Sequence, residues 1–287
     1  MRRGVRLAQL GLVANAGLVV VKILAGLIGH SYALIADGIE SSLDVFSSVV
    51  VWRGLRVSER DPDTQFHFGY GKAESLSALA VGMMLLSAAV IITVQAVRGM
   101  MTPHESPEPF TLGVLVAVIL VKELLFRRVF RAGEEVASTA VLADAWHHRS
   151  DAITSGAAFL GISIALIGGP GWAVADEWAA IVAAGVIALN GARLVRPAAL
   201  DLMDRAPDDT LLDDVERAAS RVPGVLATEK LRARKVGLGY FVDLHVQANP
   251  RMPLDDAHEL GHDVKRAILQ HVPLVLDALI HMEPFDR

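Results

Sequence analysis

The chain has 287 residues, 53% of them hydrophobic, and a mean hydropathy of +0.42; an ordinary soluble domain is roughly 45–50% apolar. It has no cysteine, which excludes disulfides and thiolate metal sites, so a bound metal must use His, Asp, Glu, water or backbone oxygen. The net charge of −5 averages two unlike halves, apolar before residue 195 and polar after residue 205. They read as a lipid-embedded domain over 1–205 and an aqueous domain over 206–287.

Apolar segments predict transmembrane helices over about 7–29, 32–54, 75–98, 110–130, 140–168 and 173–195, because about 20 apolar residues cross a bilayer core as a helix. Arg2, Arg3 and Arg6 precede the first segment. That segment continues for a full span, so it reads as a helix and not a cleavable signal peptide. The third holds 23 residues, Ser75 to Val97, without Asp, Glu, Lys or Arg. The fourth is interrupted by Lys122 and Glu123, and its uncharged core, Phe110 to Val121, is too short to span alone. Five spans are therefore the alternative. Loop charge favours six. Arg53, Arg56, Arg60 and Lys72 follow span two, Arg127, Arg128 and Arg131 follow span four, and Arg193 and Arg196 end span six. The loops around His30, Pro103 to Pro109 and Gly168 to Ala175 carry no Lys or Arg. Because cytoplasmic loops hold the basic excess, both termini are expected inside.

One charged pattern occurs twice within these spans. Span two holds ADGIESSLD, Ala36 to Asp44, and span five holds ADAWHHRSD, Ala143 to Asp151. Residues four apart share a helix face, so Glu40 aligns with Asp44 and His147 with Asp151, with Asp37 and Asp144 near the same faces. Each ionisable group in a span costs on the order of 2.5–3.5 kcal/mol. Three carboxylates and a His must then face each other or a watery cavity, and the repulsion among the carboxylates calls for a cation. Arg149 and Lys22 are the basic residues set against this surplus. Two ligands from each of two helices suit a tetrahedral divalent ion. The alternative is a set of interhelical hydrogen bonds or helix-end charges. Glu40 lies about 12 Å from the outer end of span two and Asp151 about 24 Å from that of span five, at 1.5 Å per residue. Tilt, or a deeper start for span five, would bring them level.

Residues 208–287 predict helix, strand, strand, helix, strand. A helix ends near Arg221, before Pro223 and Gly224; Val225 to Lys235 and Leu238 to Gln247 alternate around Gly237 and Gly239 as a hairpin. A helix over Leu254 to Gln270 and a strand over Leu276 to Met282 follow. His245, His281 and Glu283 fall on strands, and His258 and His262 stand four apart on the helix.

The paired motifs, with FGYGKAESL at Phe68 to Leu76, make the chain resemble the cation diffusion facilitators over nearly its whole length. The family carries a His-or-Asp-x-x-x-Asp pair in its second span, a His-x-x-x-Asp pair in its fifth and Gly-His-Gly-Lys-Ala-Glu after the second. Here Glu40 stands where the family more often has His or Asp. The resemblance implies a membrane all-α six-span bundle with a small cytoplasmic α+β domain, ferredoxin-like and metallochaperone-like. It also implies a homodimer in the lipid bilayer that exports divalent metal, usually in exchange for protons. Its metal ligands would be Glu40, Asp44, His147 and Asp151. A structural ion pair is implied between Lys72 and Asp204 at the membrane–domain junction. The family's loop site of an Asp and two His residues is matched by Asp63; Phe66 and Tyr70 occupy the His positions and His67 is displaced by one, leaving Asp63 and His67 as a weak site. In the cytoplasmic domain the implied metal residues are His245, His258, His281 and Glu283, with Glu229 in place of a further His.

The function expected is a divalent transition-metal exporter in a prokaryotic inner membrane, not an enzyme. No cofactor is expected beyond transported or regulatory metal, and no nucleic-acid partner. One imidazole with three carboxylates favours Zn²⁺, with Fe²⁺, Mn²⁺ and Cd²⁺ as competitors. An empty site with three negative charges must take up either a divalent ion or protons, which suggests antiport. Two alternatives stand. A metalloenzyme would need an open coordination position and a nearby base, whereas two carboxylate-rich pairs with no spare base suit binding and release better than hydrolysis. A non-transporting sensor or assembly scaffold of the same fold is the other.

Overall fold

The computed structural model describes residues 2–101, 107–135 and 139–285; side chains are described from residue 15 onward, apart from those of 132–135, 139–148, 150 and 170. Six long helices come first: α1 Arg2–Ile28, α2 Tyr32–Ser58, α3 Lys72–Met101, α4 Phe110–Glu135, α5 Thr139–Gly168 and α6 Ala175–Leu202. They occupy the six expected segments. Several run past the expected ends, as α2 and α4 do, because the Arg and Glu residues there are good helix formers and keep the helix going into water. Among the described residues, three stretches are long and apolar enough to cross a membrane: Lys72–Met101, Asp151–Gly168 and Ala175–Leu202. The helices α2 and α4 are as long but carry charged residues along their length. Large apolar side chains such as Ile91, Leu120, Leu160 and Val182 are exposed. A surface of that kind suits lipid, and with the uncharged helix lengths it makes this an integral membrane protein.

Contacts divide the chain into two compact units, 1–50 with 81–193 and 51–80 with 194–287. In the first, Ala36, Val81, Leu85, Ala89 and Ile92 pack with Ala180, Ala184 and Ile187, joining α2, α3 and α6. A second cluster, Ala25, Ala33, Leu34, Leu115, Ala158 and Ile162, joins α1, α2, α4 and α5. Glycine sets the approach of α1 to α2. A Cβ at Gly26 would lie 2.9 Å from the amide nitrogen of Ile35, and one at Gly38 would lie 3.2 Å from that of Ile23. Small residues at such crossings let backbones close in where apolar attraction is weak.

The second unit contains α7 Asp209–Ser220, β1 Ala227–Val236, β2 Gly239–Ala248, α8 Leu254–His271 and β3 Val275–Pro284, the αββαβ order expected. The sheet order is β1-β2-β3, with β1 antiparallel and β3 parallel to β2. It has three strands, where the full ferredoxin-like pattern βαββαβ has four. Val242, Leu244 and Val246 of β2 alternate inward against Val215 of α7 and Leu260, Val264 and Ile268 of α8. Strand alternation therefore turns His245 to the opposite face. The β1–β2 turn has Gly237 at φ 62°, a conformation that glycine adopts without strain. Gly71 of the GYGK turn presses on it: a Cβ there would lie 2.8 Å from the Gly237 amide nitrogen.

Candidate metal centres

The helical unit contains a buried polar assembly between α1, α2, α4 and α5. Lys22 is fully buried; its Nζ lies 2.8 Å from Asp37 Oδ2 and donates to Ser41 Oγ at 3.0 Å and Ser155 Oγ at 3.2 Å. The Ser155 hydroxyl donates to Asp37 at 2.9–3.0 Å. All three ammonium donors of Lys22 thus meet oxygen, and Asp37 is committed to structure. One turn along, Glu40 shares its helix face with Asp44, four residues on. Its Oε2 is buried with no hydrogen-bond partner among the described residues.

These contacts fix the register of α2 against α5. Asp37 meets Ser155, while Ala33 and Leu34 share a cluster with Ala158 and Ile162, so rising numbers on α2 pair with falling numbers on α5. Two turns on from Asp37, residue 147 comes level with Asp44. The side chain of His147 lies outside the described residues, as does that of Asp144. The depth mismatch between Glu40 and Asp151 has a simple source. Ser155 sits farther from its helix end, Gly168, than Asp37 does from Tyr32, so α5 extends beyond α2 on that side.

Sequence reasoning set only Arg149 and Lys22 against these carboxylates and missed Lys122. Lys122 is buried, with Nζ 2.5 Å from Asp151 Oδ2 and 2.9 Å from Asn15 Oδ1. Periodicity treated it as a break in an apolar run; the signal for its inward direction was the surplus of carboxylates itself. Arg149 instead is exposed, its guanidinium 4.8 Å from the Phe126 ring centre. Asp176, at the start of α6, was also missed. It accepts from Ser31 Oγ at 2.8 Å and from the Tyr32 amide at 2.5 Å, capping the orphan amides of α2.

The second unit holds further groups. His245, His281 and Glu283 bring one ligand atom each within 4.8 Å of one another. The sheet register does this: His245 pairs with His281, and Glu283 lies two residues on, hence on the same face. His245 Nδ1 is 2.7 Å from Glu283 Oε1, and Lys230 Nζ is 3.5 Å from that oxygen. Hydrogen bonding from His245 holds the Glu283 carboxyl below its usual range, with Glu229 and the Lys230 charge adding to the effect. His258 is not in this cluster; on α8 its Nε2 lies 3.1 Å from that of His262. In the loop after α2, Asp63 accepts from the Gln65 and Phe66 amides at 2.8 Å and from the Tyr70 hydroxyl at 2.6 Å. Its carboxylate is occupied as a turn cap, while His67 is exposed and is in no cluster of three metal-ligand residues among the described residues. Lys72 Nζ lies 2.5 Å from Asp204 Oδ1 and 3.0 Å from the Asp201 carbonyl oxygen. Lys235 Nζ lies 2.9 Å from Asp201 Oδ2.

Residues 8–203 match the family model described as "Cation efflux transmembrane domain", and residues 207–285 that described as "Cation efflux protein, cytoplasmic domain". The chain is 30% identical to the manganese efflux system protein MneP of Bacillus subtilis (strain 168), over 98% of this chain and 96% of that one. It is 32% identical to the magnetosome protein MamB of Magnetospirillum gryphiswaldense (94% and 91%). It is 31% identical to the cation-efflux pump FieF of Yersinia pestis (strain Pestoides F) (98% and 93%).

Proposed function

The chain belongs to the cation efflux, or cation diffusion facilitator, family of membrane transporters, and from that premise we propose that it exports a divalent transition metal from the cytoplasm in exchange for protons. The observation that carries this reading is the buried Glu40 oxygen, which has no hydrogen-bond partner among the described residues and stands one turn from Asp44 on α2. Carboxylates held at such proximity in a low-dielectric setting need positive charge. The register leaves residue 147 to supply the fourth ligand beside Asp44. A site that must hold either a divalent ion or protons exchanges one for the other as it alternates between the two sides of the membrane.

Six spans with both termini cytoplasmic, in the inner membrane of a prokaryote, accommodate the loop charges; residues 1–205 carry transport and 206–287 regulate it. The matched cytoplasmic domain supports a homodimer. Zinc is the favoured cargo because one imidazole joins the carboxylates. Fe²⁺, Mn²⁺ and Cd²⁺ compete, and relatives named for manganese and for cations at large support that range. His245, His281 and Glu283 form a cytoplasmic metal site that tunes transport. The test is metal flux in sealed vesicles with an imposed pH gradient. Wild type should accumulate Zn²⁺ and move protons the other way; Asp44→Ala, His147→Ala and Asp151→Ala should each abolish uptake. Unchanged flux in Asp151→Ala refutes the ligand assignment. Metal binding without flux in wild type favours the sensor or scaffold reading.

A further inference from the structure

Lys22 and Lys122 are both fully buried, but their surroundings differ. Lys22 is closed off: Asp37, Ser41 and Ser155 surround its ammonium, and Asp37 is held in turn by Ser155. Lys122 instead reaches from α4 onto Asp151, the carboxylate read above as a metal ligand, with Asn15 of α1 as its second contact.

We propose that Lys122 is a tethered counter-cation of the transport site, holding Asp151 between cargo ions and yielding that carboxylate when a divalent metal arrives. The inference rests on the reading of Asp151 as a metal ligand. A lysine suits this task because its ammonium is a compact charge on a flexible four-carbon stem, able to shift toward Asn15 without unfolding α4. An arginine fork would grip the same carboxylate through two bonds and give it up less readily. Competition by Lys122 weakens metal binding and speeds release, so the residue sets both the affinity and the turnover of the site while never touching the metal.

The experiment uses the full chain, with Zn²⁺ and Mn²⁺ in parallel, and two readouts. One is flux in sealed vesicles, resolved into half-saturating concentration and maximal rate; the other is the thermal midpoint of detergent-solubilised protein with and without metal. Lys122→Met should lower the half-saturating concentration about tenfold or more, equivalent to ~1.4 kcal/mol, and lower the maximal rate. Its midpoint should fall without metal and recover at saturating metal. Lys122→Arg should move half-saturation the opposite way. A Lys122→Met protein with unchanged or raised half-saturation, and a midpoint lowered equally with and without metal, overturns the proposal. Loss of flux in Asp44→Ala then still stands for the transport reading. If wild type carries no metal across the membrane, the transport reading falls, and the midpoints, which need no flux, still decide the role of Lys122.

Discussion

Removing Lys22 or Asp37 alone should cost about 3–5 kcal/mol, because each leaves the other as an uncompensated buried charge. Both side chains are essentially sealed from solvent, at 0% and 3% exposure, and 2.8 Å apart. Lys22→Met strands Asp37 with only the Ser155 hydroxyl as donor; Asp37→Leu strands Lys22 with two serine oxygens. Neither remainder neutralises a full charge. Ser155→Ala removes hydrogen bonds between helices and no charge, so its cost should be nearer the ~0.6 kcal/mol average found for such bonds in membrane proteins. Replacing the pair by apolar residues, Lys22→Met with Asp37→Leu, removes both charges together and should fall close to wild type, giving a coupling energy of about 6–10 kcal/mol in magnitude, the sum of the two single losses. The assay is unfolding of the detergent-solubilised full chain in a double-mutant cycle. Additive losses, with the double variant as unstable as the two singles combined, would refute the idea that these groups exist for one another.

Glu40→His exchanges a carboxylate that can bind through one or two oxygens for a single nitrogen, so the ratio of Zn²⁺ to Mn²⁺ flux should rise in vesicles; an equal ratio in an active variant would place selectivity elsewhere. In the second unit, Glu283→Gln and His245→Ala should each weaken Zn²⁺ binding at the sheet-face cluster by tenfold or more, about 1.4 kcal/mol, measured by calorimetry against wild type. Acidification should expel this metal, because bound ligands must be deprotonated, and Glu283, held below the usual carboxylate range, should be the last to give way to protons on its own account. The Asp63 carboxyl is likewise lowered, by the Tyr70 hydroxyl first and then the Phe66 and Gln65 amides. Its contribution is therefore complete above the ordinary carboxylate value of about 3.9 and lost only as pH falls through the lower folded value. Amide exchange in the loop around residues 63–70 should have the same protection at pH 5 as at pH 7, and Asp63→Ala should remove that protection at both.

The helical segments were legible in the chain because a bilayer demands a length and an absence of charge that few other settings require. The αββαβ order was equally plain, since alternation and a glycine turn are local properties, visible at Val242, Leu244, Val246 and Gly237. The spacing of Glu40 with Asp44 and of His147 with Asp151 follows from helix geometry, so each pair could be read from its own segment. Helix periodicity, however, says nothing about which neighbour a face will meet. It could not show that Asp37 belongs to Lys22 and Ser155, or that Asp176 of α6 caps the first turn of α2. Nor could it separate His258 from His245: both are histidines of one small domain, but α8 carries one away from the sheet face on which β2 and β3 align the other with His281 and Glu283. Lys122 marks the limit most clearly. Within its own helix it is a charge that spoils an apolar run. Only the packing of α4 against α1 and α5 turns it inward onto Asp151, because the free energy of a buried charge depends on the partner it finds, and that partner lies 29 residues away in the chain.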